Sequence, residues 1–514
     1  MASTRTAATT TGTRASGLSR DIIALAVVVV LGTIMTVLDL TIVNVAIPVI
    51  GTAFRAQVDT IQWVMTGYML ALATVIPVTG WAAERFGAKR VWLAALLLFL
   101  AGSVLAGAAW SAGSLIGFRV IQGLGAGMIL PVGQTILAQA AGPARMGRVM
   151  SVIGVPMLLA PVLGPVLGGA IISAASWRWI FYINLPVGAA AVLAAWRILP
   201  DARPQLGQRL DLLGLALLSP GIAVLLYGMS EAGSQGGFAG PRTAAAVLAG
   251  LALIALYFRH AAARGAGALI DISLLRRRGF AAAAALNFLL MAGLFGSLIL
   301  IPLYYQIVRH DSTLQTGLLL APQGIGAALA LSLAGPLTDR IGARAVATAG
   351  IILAVVGTLA YTQVGARTPE PYLASALGVI GLGLGATVTP SMAAAFQALS
   401  RAETPRGTSA LNVIQRTAGA IGTAAFAILL QHAITASQPG RPGGSQAIGT
   451  LSQQAGAHAA TALASSFGIT FWAPAALIAA AAAPALLLPR PAQPRHAVAG
   501  QPGGRDKATT ERTQ

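Results

Sequence analysis

Residues 80–90 read GWAAERFGAKR, and residues 335–344 repeat this pattern as GPLTDRIGAR, 255 residues further along the chain. A second pair of stretches, GLGAG at 123–127 and GLGLG at 381–385, recurs at an offset of 258 residues. Two independent matches at nearly one offset indicate that the chain contains two duplicated halves. Each stretch lies in or beside a long apolar run, so the duplicated unit is a set of membrane helices.

The composition places most of the chain in lipid. Of the 514 residues, 56% are hydrophobic and 9% are charged, whereas soluble domains carry about 25% charged residues. A bilayer core of roughly 30 Å takes about 20 apolar residues per helix. A soluble enzyme, a nucleic-acid module and a secreted scaffold are therefore largely excluded. We predict fourteen spans, near residues 22–50, 59–82, 91–110, 114–140, 149–173, 178–198, 211–230, 242–258, 280–307, 315–337, 345–365, 372–397, 408–432 and 466–488.

The basic residues predict the orientation of these spans. The formal net charge is +19, and Lys and Arg are concentrated in the cytoplasmic loops of membrane proteins. With a cytoplasmic N-terminus, 25 basic residues fall on the inside and 6 on the outside. We therefore expect a multi-pass protein of the cell membrane with both termini in the cytoplasm, and no binding to nucleic acid. The first apolar run is too long for a signal peptide.

The repeat divides the chain into five parts. Spans 1–6 match spans 9–14, and spans 7 and 8 form an inserted pair. Parallel repeats of six helices are the plan of one large class of secondary transporters. The predicted parts are a cytoplasmic tail (1–21), an N-terminal six-helix bundle (22–200), the inserted pair (201–265), a C-terminal six-helix bundle (266–489) and a flexible cytoplasmic tail (490–514). The polar stretch 433–465 is also expected to be a flexible loop.

Asp39 is the only carboxylate well inside a predicted span. Low dielectric favours the neutral acid, so such a group can take up a proton on one side and release it on the other. Arg119 enters the fourth span from the outside, and both residues fall in the outer half of the bilayer, where they can approach one another. The alternatives are that Asp39 faces a wet vestibule and only pairs with an Arg, and that Arg119 reaches the outer headgroups.

Two other patterns suit a transporter that changes shape. In the repeated loop, Glu84 and Asp339 sit beside Arg85 and Arg340, where an acid can cap a neighbouring helix and hold one conformer closed; turn formation and anchoring are the simpler reading. In the fifth span, Gly164 and Gly168 continue a four-residue ladder from Ala160. Such ladders permit close helix approach. The ladder is expected to form a moving contact between the halves, and the alternative is static packing.

A third group consists of polar side chains inside or near spans. Arg416 lies roughly halfway into the thirteenth span and either touches substrate or binds carbonyls. With one deep acid against Arg119 and Arg416, divalent cations suit the cavity poorly, and neutral, anionic or monovalent lipophilic substrates are expected. We found no catalytic residue set, metal-spaced cluster or ATP-binding loop. The candidate cavity residues are Asn44, Gln62, Tyr68, Gln122, Tyr304, Gln323, Asn412 and Arg416.

Five motifs in order resemble those of the major facilitator superfamily, and within it of the fourteen-helix drug:proton antiporters. LDLTIVNVAIP at 38–48 is similar to the first-helix signature of that branch, and RVIQGLGAG at 119–127 to its fourth-helix motif. The segment 154–169 resembles the antiporter motif, with Ala160 where glycine is usual, and WRWIFYINLP at 177–186 matches the entry into helix 6. The fifth is the loop motif at 80–90, with Glu84 where Asp is commoner.

The resemblance implies a fold of two six-helix halves plus two inserted helices, and efflux of lipophilic compounds in exchange for protons. It implies no enzyme activity, catalytic residue, metal or cofactor, with the proton gradient in place of ATP. The expected partners are a lipophilic substrate, protons and the bilayer, with the protein a monomer. The rival hypothesis is a dedicated exporter of one metabolite, siderophore or lipid. The implied sites are proton coupling (Asp39, Arg119), loop-motif gating (Gly80, Glu84, Arg85, Gly87, Lys89, Arg90, Asp339, Arg340) and the antiporter motif (Pro161, Gly164, Pro165, Gly168, Gly169).

Overall fold

The computed structural model describes residues 19–142, 145–201, 209–235, 237–437 and 457–489, and every regular element in these ranges is a helix. Thirteen of the helices in these ranges are long and apolar enough to cross a membrane. The remaining predicted span, 149–173, coincides with a helix of 29 residues, about 43 Å long at a rise of 1.5 Å per residue. The predicted all-α integral membrane fold is confirmed.

The described residues between 19 and 201 form six long helices, which we number α1 to α6 and call the first half. Helix α6 is interrupted at Ile183, where the chain passes from a short first turn into the main segment. Their bounds are α1 Arg20–Phe54, α2 Val58–Phe86, α3 Ala88–Gly107, α4 Ala112–Ala141, α5 Met146–Ala174 and α6 Trp179–Tyr182 with Asn184–Ile198.

The described residues that follow form eight more long helices, numbered α7 to α14. Helix α9 ends in a π-helical turn, Tyr304–Val308, after Pro302. The bounds are α7 Leu212–Gln235, α8 Pro241–Arg264, α9 Arg278–Leu303, α10 Ala321–Ile341 with a preceding short helix Thr313–Leu319, α11 Ala343–Tyr361, α12 Glu370–Gln397, α13 Thr404–Ser437, and α14 Ala457–Ala480 followed by Ala482–Leu486.

The flexible segments predicted from sequence fall largely outside the described residues. This holds for 490–514 and for the middle of the predicted loop 433–465, and residues 1–18 of the predicted cytoplasmic tail also lie outside the described residues. At the edges of that loop, α13 continues to Ser437 and α14 begins at Ala457, so helix replaces loop at both ends. Their apolar residues extend the helical pattern beyond the predicted span limits.

Helix packing repeats between the two parts of the chain. Helices α2 and α3 both pack against α4, as α10 and α11 pack against α12, and α1 packs on α5 as α9 packs on α13. The link between α2 and α3 is Gly87 at φ 88°, and the link between α10 and α11 is Gly342 at φ 91°. These left-handed conformations favour glycine, so the repeated loop motif produces the same sharp turn twice.

The inserted pair lies on one side of the bundle. Helix α7 packs against α2 and α13, and α8 packs mainly against α7. Leu225 and Met229 of α7 form a small apolar cluster with Ala424 of α13. The pair therefore covers the line along which α2 of the first half meets α13 of the second. We call the end of the bundle where α2 and α10 end and α5 and α13 begin the basic face, because it carries the Arg-rich loops.

Close helix approach inside the second half gives a test of the packing. A Cβ added at Gly422 of α13 would lie 2.0 Å from the carbonyl oxygen of Ala292 on α9. We expect Gly422→Ala to force the helices apart and destabilise the protein by about 1–3 kcal/mol, read as a lower melting temperature in detergent. The matched control is Gly117→Ala on α4, where a Cβ meets nothing within 4 Å. Equal melting temperatures for the two variants would contradict this packing.

Candidate functional site

A buried ion pair lies in the first half of the bundle. Asp39 of α1 and Arg119 of α4 are in direct contact through Oδ2 and Nη1, and both side chains are fully buried. Helices α1 and α4 pack against one another, which brings the Arg119 side chain within reach of Asp39. Removing either charge from such a pair leaves the other uncompensated in low dielectric. The structure thus brings together the two residues predicted for proton coupling.

Amide and hydroxyl groups complete the surroundings of Asp39. Gln122 accepts a hydrogen bond from Arg119 Nη1 (2.7 Å) and donates one from Nε2 to Asp39 Oδ1 (3.0 Å). Asn184 Nδ2 lies 3.4 Å from the same Oδ1 and donates to Ser103 Oγ at 3.0 Å. Side chains of α4 and α6 therefore contact the carboxylate of α1 directly, Ser103 of α3 joins the network through Asn184, and the network can adjust when the charge of Asp39 changes.

The guanidinium of Arg119 is held by α2 as well as by Asp39. Its Nε donates to the carbonyl oxygen of Val64 at 3.3 Å, and its Cζ lies 4.0 Å from the centre of the Tyr68 ring. The hydroxyl of Tyr68 lies 3.4 Å from the carbonyl oxygen of Thr36 on α1. The buried Nη2 makes no hydrogen bond with any described residue, so the aromatic face contributes to balancing this cation.

The glycine ladder of α5 packs against α1 beside this site. A Cβ at Gly164 would lie 1.9 Å from Thr41 Oγ1, and one at Gly168 would lie 3.3 Å from the carbonyl oxygen of Ile42. The ladder therefore serves packing within the first half at these positions, and the other half meets α5 nearer its start. Gly169 has nothing within 4 Å; the side chains of Ala160, Pro161 and Pro165 lie outside the description.

At the basic face, the α2–α13 seam (Gly80 and Glu84 against Pro405 and Arg406) joins the two halves. Glu84 Oε2 accepts a hydrogen bond from Arg406 Nε at 3.0 Å, and the Glu84 side chain is 3% exposed. A Cβ at Gly80 would lie 3.0 Å from Arg406 Cα and from the Pro405 carbonyl oxygen. Glycine permits the approach, and the ion pair stabilises it.

A second contact, the α5–α10 seam (Arg148, Ser151 and Gly154 against Leu331 and Gly335), lies at the same end. A Cβ at Gly335 would lie 2.7 Å from Ser151 Oγ and 3.0 Å from Arg148 Cα. Gly335 and Gly80 occupy the same place in the repeated motif. Each glycine lets the end of one helix rest on the start of a helix in the other half, so the basic face is closed here along two related lines.

The remaining loop-motif residues lie around these seams. Lys89 Nζ is 3.3 Å from Asp201 Oδ2, a pair whose acid is 79% exposed. Arg90 and Arg340 are exposed, and Arg85 is half-buried. The side chain of Asp339 lies outside the description. Of the two acids of the motif, Glu84 is the one whose side chain is described, and it joins the two halves.

The start of α13 is anchored further by Glu403. Its carboxylate accepts hydrogen bonds from Arg277 Nη1 (2.9 Å) and from the backbone N–H of Ser400 (2.9 Å). The hydrogen bonds from Arg277 and then Ser400 lower the pKa of Glu403 to about 2, so it is ionised at neutral pH. It holds the residues that precede Arg406 in place.

A small cavity lies between the first half and α13. Arg416 and Asn412 of α13 face Thr33 and Thr36 of α1 across it, and Asn412 Nδ2 donates to Gln134 Oε1 at 2.8 Å. Its described lining holds one cation and no carboxylate. The full described lining is Thr33, Thr36, Val37, Leu40, Leu72, Ile76, Ala126, Gly127, Leu130, Pro131, Asn412 and Arg416.

The other candidate cavity residues lie elsewhere. Asn44 and Gln62 are exposed. Tyr304 is buried in an aromatic cluster of the second half, and its hydroxyl donates to the Gly365 carbonyl oxygen at 2.8 Å. Gln323 lies at the start of α10, where its carbonyl oxygen faces Gly381. Gln122 and Tyr68 belong to the Asp39 network.

Sequence reasoning missed several partners. Ser103 has no sequence signal beyond being a polar residue within a span, and Asn184 belongs to the motif at 177–186, which does not indicate a contact with Asp39. Arg406 looked like one of many loop cations, although it follows a helix start at the same face as Glu84. The Asn287 side chain, which the candidate cavity residues do not include, is buried with Ser391 and lies 3.1 Å from Gln415 Nε2.

Comparisons with known proteins agree on one family. Residues 29–423 match the family described as Major Facilitator Superfamily. The chain is 43% identical over 413 residues to the multidrug resistance protein B homolog of Mycobacterium tuberculosis strain H37Rv, covering 80% of this chain and 76% of that one. It is 33% identical over 406 residues to the multidrug export protein EmrB of Haemophilus influenzae, covering 78% and 79%.

A similar fold is found among solved structures. The proton:xylose symporter XylE aligns with a TM-score of 0.60 at 12% identity, over 90% of this chain and 94% of that one. At this identity the likeness concerns the fold alone.

The α2–α13 seam can be tested by accessibility. The chain has no cysteine, so Ser151→Cys places a single thiol in the α5–α10 seam, away from Glu84. In this background we expect Glu84→Gln to raise the rate of labelling by a charged maleimide about tenfold, because hydrogen bonds to charged groups contribute about 1.5–3 kcal/mol. Asp201→Asn, which removes an exposed pair, should leave the rate unchanged. Equal rates for Glu84→Gln and the parent would refute a closing role for Glu84.

Proposed function

The chain belongs to the major facilitator superfamily, and on that premise we propose that it exports lipophilic drugs or antibiotics in exchange for protons by alternating access. Membership makes it a multi-pass membrane transporter rather than an enzyme. Relatives named for multidrug resistance and multidrug export, at 43% and 33% identity, support the substrate class.

The observation that carries the proposal is the buried contact between Asp39 and Arg119. When Asp39 takes up a proton it loses its charge, whereas Arg119 keeps its own because a guanidinium is not deprotonated in proteins. The bundle must then stabilise a buried cation in another way, through Gln122, Tyr68 or a shift of α4 against α1. Protonation thereby favours a different arrangement of helices.

Alternating access is supported by the two seams of the basic face. Both join the first half to the second over short distances, through Gly80 with Glu84 and through Gly335. The helices of the two halves do not interleave, because most helix packing stays within α1–α6 or within α9–α14. Such a bundle can open at this end by rocking one half against the other.

The cavity beside α13 supports a proposal about the charge of the substrate. Arg416 contributes a positive charge, and the lining residues described contain no acid to oppose it. Neutral or anionic lipophilic compounds, and monovalent cations less readily, fit this balance better than divalent cations. We further propose that the protein acts as a monomer in the cell membrane with both termini in the cytoplasm, driven by the proton gradient without ATP or another cofactor.

The decisive test is substrate-dependent proton release from inside-out vesicles with an acidic interior, followed with a pH-sensitive dye. We expect lipophilic drugs to release protons through the wild type. Asp39→Asn should insert normally and reduce the release to the level of vesicles without the protein, because an amide carries no titratable proton. The matched control is Asp59→Asn, a carboxylate in the exposed first turn of α2, which should behave as the wild type.

Two outcomes would overturn the proposal in different ways. Proton release retained by a folded Asp39→Asn protein would remove Asp39 from the coupling mechanism. No release by the wild type with any compound of a broad panel would favour a dedicated exporter of one metabolite, siderophore or lipid.

A further inference from the structure

A buried carboxylate of the inserted pair has no part in the mechanism above. Asp211 precedes the first turn of α7, and its side chain is 1% exposed. Its Oδ1 accepts from the backbone N–H of Gly214 (3.0 Å) and lies 2.8 Å from His260 Nε2 on α8. Arg264 Nη1 is 3.7 Å away. A carboxylate so placed joins the start of α7 to the end of α8.

The second oxygen of Asp211 reaches the linker between α8 and α9. Oδ2 accepts from the backbone N–H of Leu269 at 3.2 Å. Burial of Asp211 opposes its ionisation, yet the hydrogen bonds from His260, Gly214 and Leu269 together hold the pKa of Asp211 below its usual range. The carboxylate is therefore charged at neutral pH and binds its donors strongly.

A second side chain holds the next linker residue. The hydroxyl of Tyr257 on α8 donates to the carbonyl oxygen of Ile270 (3.0 Å) and accepts from its backbone N–H (2.8 Å). Ala268 and Leu269 are buried in an apolar cluster with Ala73 of α2 and Leu218 of α7. The linker is thus held by polar contacts to Asp211 and to Tyr257 of α8, and by apolar packing against α2 and α7.

This fixed linker touches the α2–α13 seam. The carbonyl oxygen of Ala268 accepts from Arg406 Nη1 at 3.4 Å, while Nε of the same guanidinium donates to Glu84. The planar guanidinium donates in fixed directions. Holding Ala268 in place therefore also fixes the orientation in which Arg406 meets Glu84.

We propose that Asp211 is a positioning residue for the α2–α13 seam: it fixes the linker at 268–270, which holds Arg406 against Glu84. The inserted pair would then stabilise the closed state of the basic face, in addition to covering its side. This proposal builds on the alternating access proposed above, but its test reads helix accessibility and needs neither substrate nor a proton gradient, so the two can fail separately.

The test uses the Ser151→Cys reporter in purified full-length protein. We expect Asp211→Asn to speed maleimide labelling about tenfold, the change expected when hydrogen bonds to a charged group are lost. The matched control is Asp271→Asn in the same linker. Asp271 makes no hydrogen bond to residues 268–270 in the described part of the chain and caps the short helix Ile272–Arg276 through Ser273 N–H (2.8 Å), and asparagine caps equally well. Its labelling rate should equal that of the parent.

A double variant separates positioning from general loosening. If Asp211 acts through Arg406 and Glu84, Asp211→Asn combined with Glu84→Gln should label no faster than Glu84→Gln alone. The proposal would be overturned if the effects of the two substitutions multiplied in the double variant. It would also be overturned if Asp211→Asn left the labelling rate unchanged, or if Asp271→Asn raised it equally.

If Asp211→Asn folds poorly, as judged by size-exclusion elution, two other variants test the same proposal. Tyr257→Phe removes the two bonds to Ile270 and leaves every charge in place. Gly214→Ala places a Cβ 2.2 Å from Asp211 Oδ2 and displaces the carboxylate without neutralising it. Both variants should raise the rate of maleimide labelling, as Asp211→Asn does. Unchanged rates in both would reject the role of the linker.

Discussion

Exclusion of water from the apolar interior governs this structure, because a buried charge is costly unless it meets a partner on a neighbouring helix. Asp39 of α1 meets Arg119 of α4, and Glu84 of α2 meets Arg406 of α13. Helices cannot separate at these points without leaving a charge unpaired. A change of shape therefore has to be accompanied by neutralisation or by a new partner, and on the proposed mechanism a proton bound at Asp39 selects between the two conformations.

The two seams of the basic face use the same backbone device with different surroundings. Gly80 and Gly335 each allow a helix end to rest on a helix start of the other half. Among the described helices, α7 packs on both α2 and α13 and so flanks the first of these seams. The duplicated halves are thus made unequal by the insertion, and the side that carries the Glu84 contact also receives the linker between α8 and α9.

The sequence predicted the helices and the Asp39 contact better than it predicted the seams. Depth along a span is enough to place Asp39 and Arg119 at one level. It does not tell which helix a glycine ladder faces, and Gly164 faces α1 of its own half instead of the other half. The partner of Glu84 lies 322 residues away. Only the three-dimensional arrangement selects Arg406 from many loop cations, and Asp211 had no sequence signal beyond being an acid at a span end.

The position of Tyr68 connects the two charged sites. On the proposed mechanism, protonation of Asp39 changes the balance around Arg119, whose guanidinium lies against the Tyr68 ring. Tyr68 and Glu84 belong to the same helix, α2, and are 16 residues apart in the sequence, about 24 Å along a helix at 1.5 Å per residue. The Asp39 pair lies within one half and can respond to a proton, whereas the Glu84 pair spans both halves and depends on their separation. On that mechanism α2, which contacts both pairs, is the physical link between them, and Pro77, which lies between Tyr68 and Glu84 and lacks a backbone N–H, is the point at which this helix can bend as the halves separate.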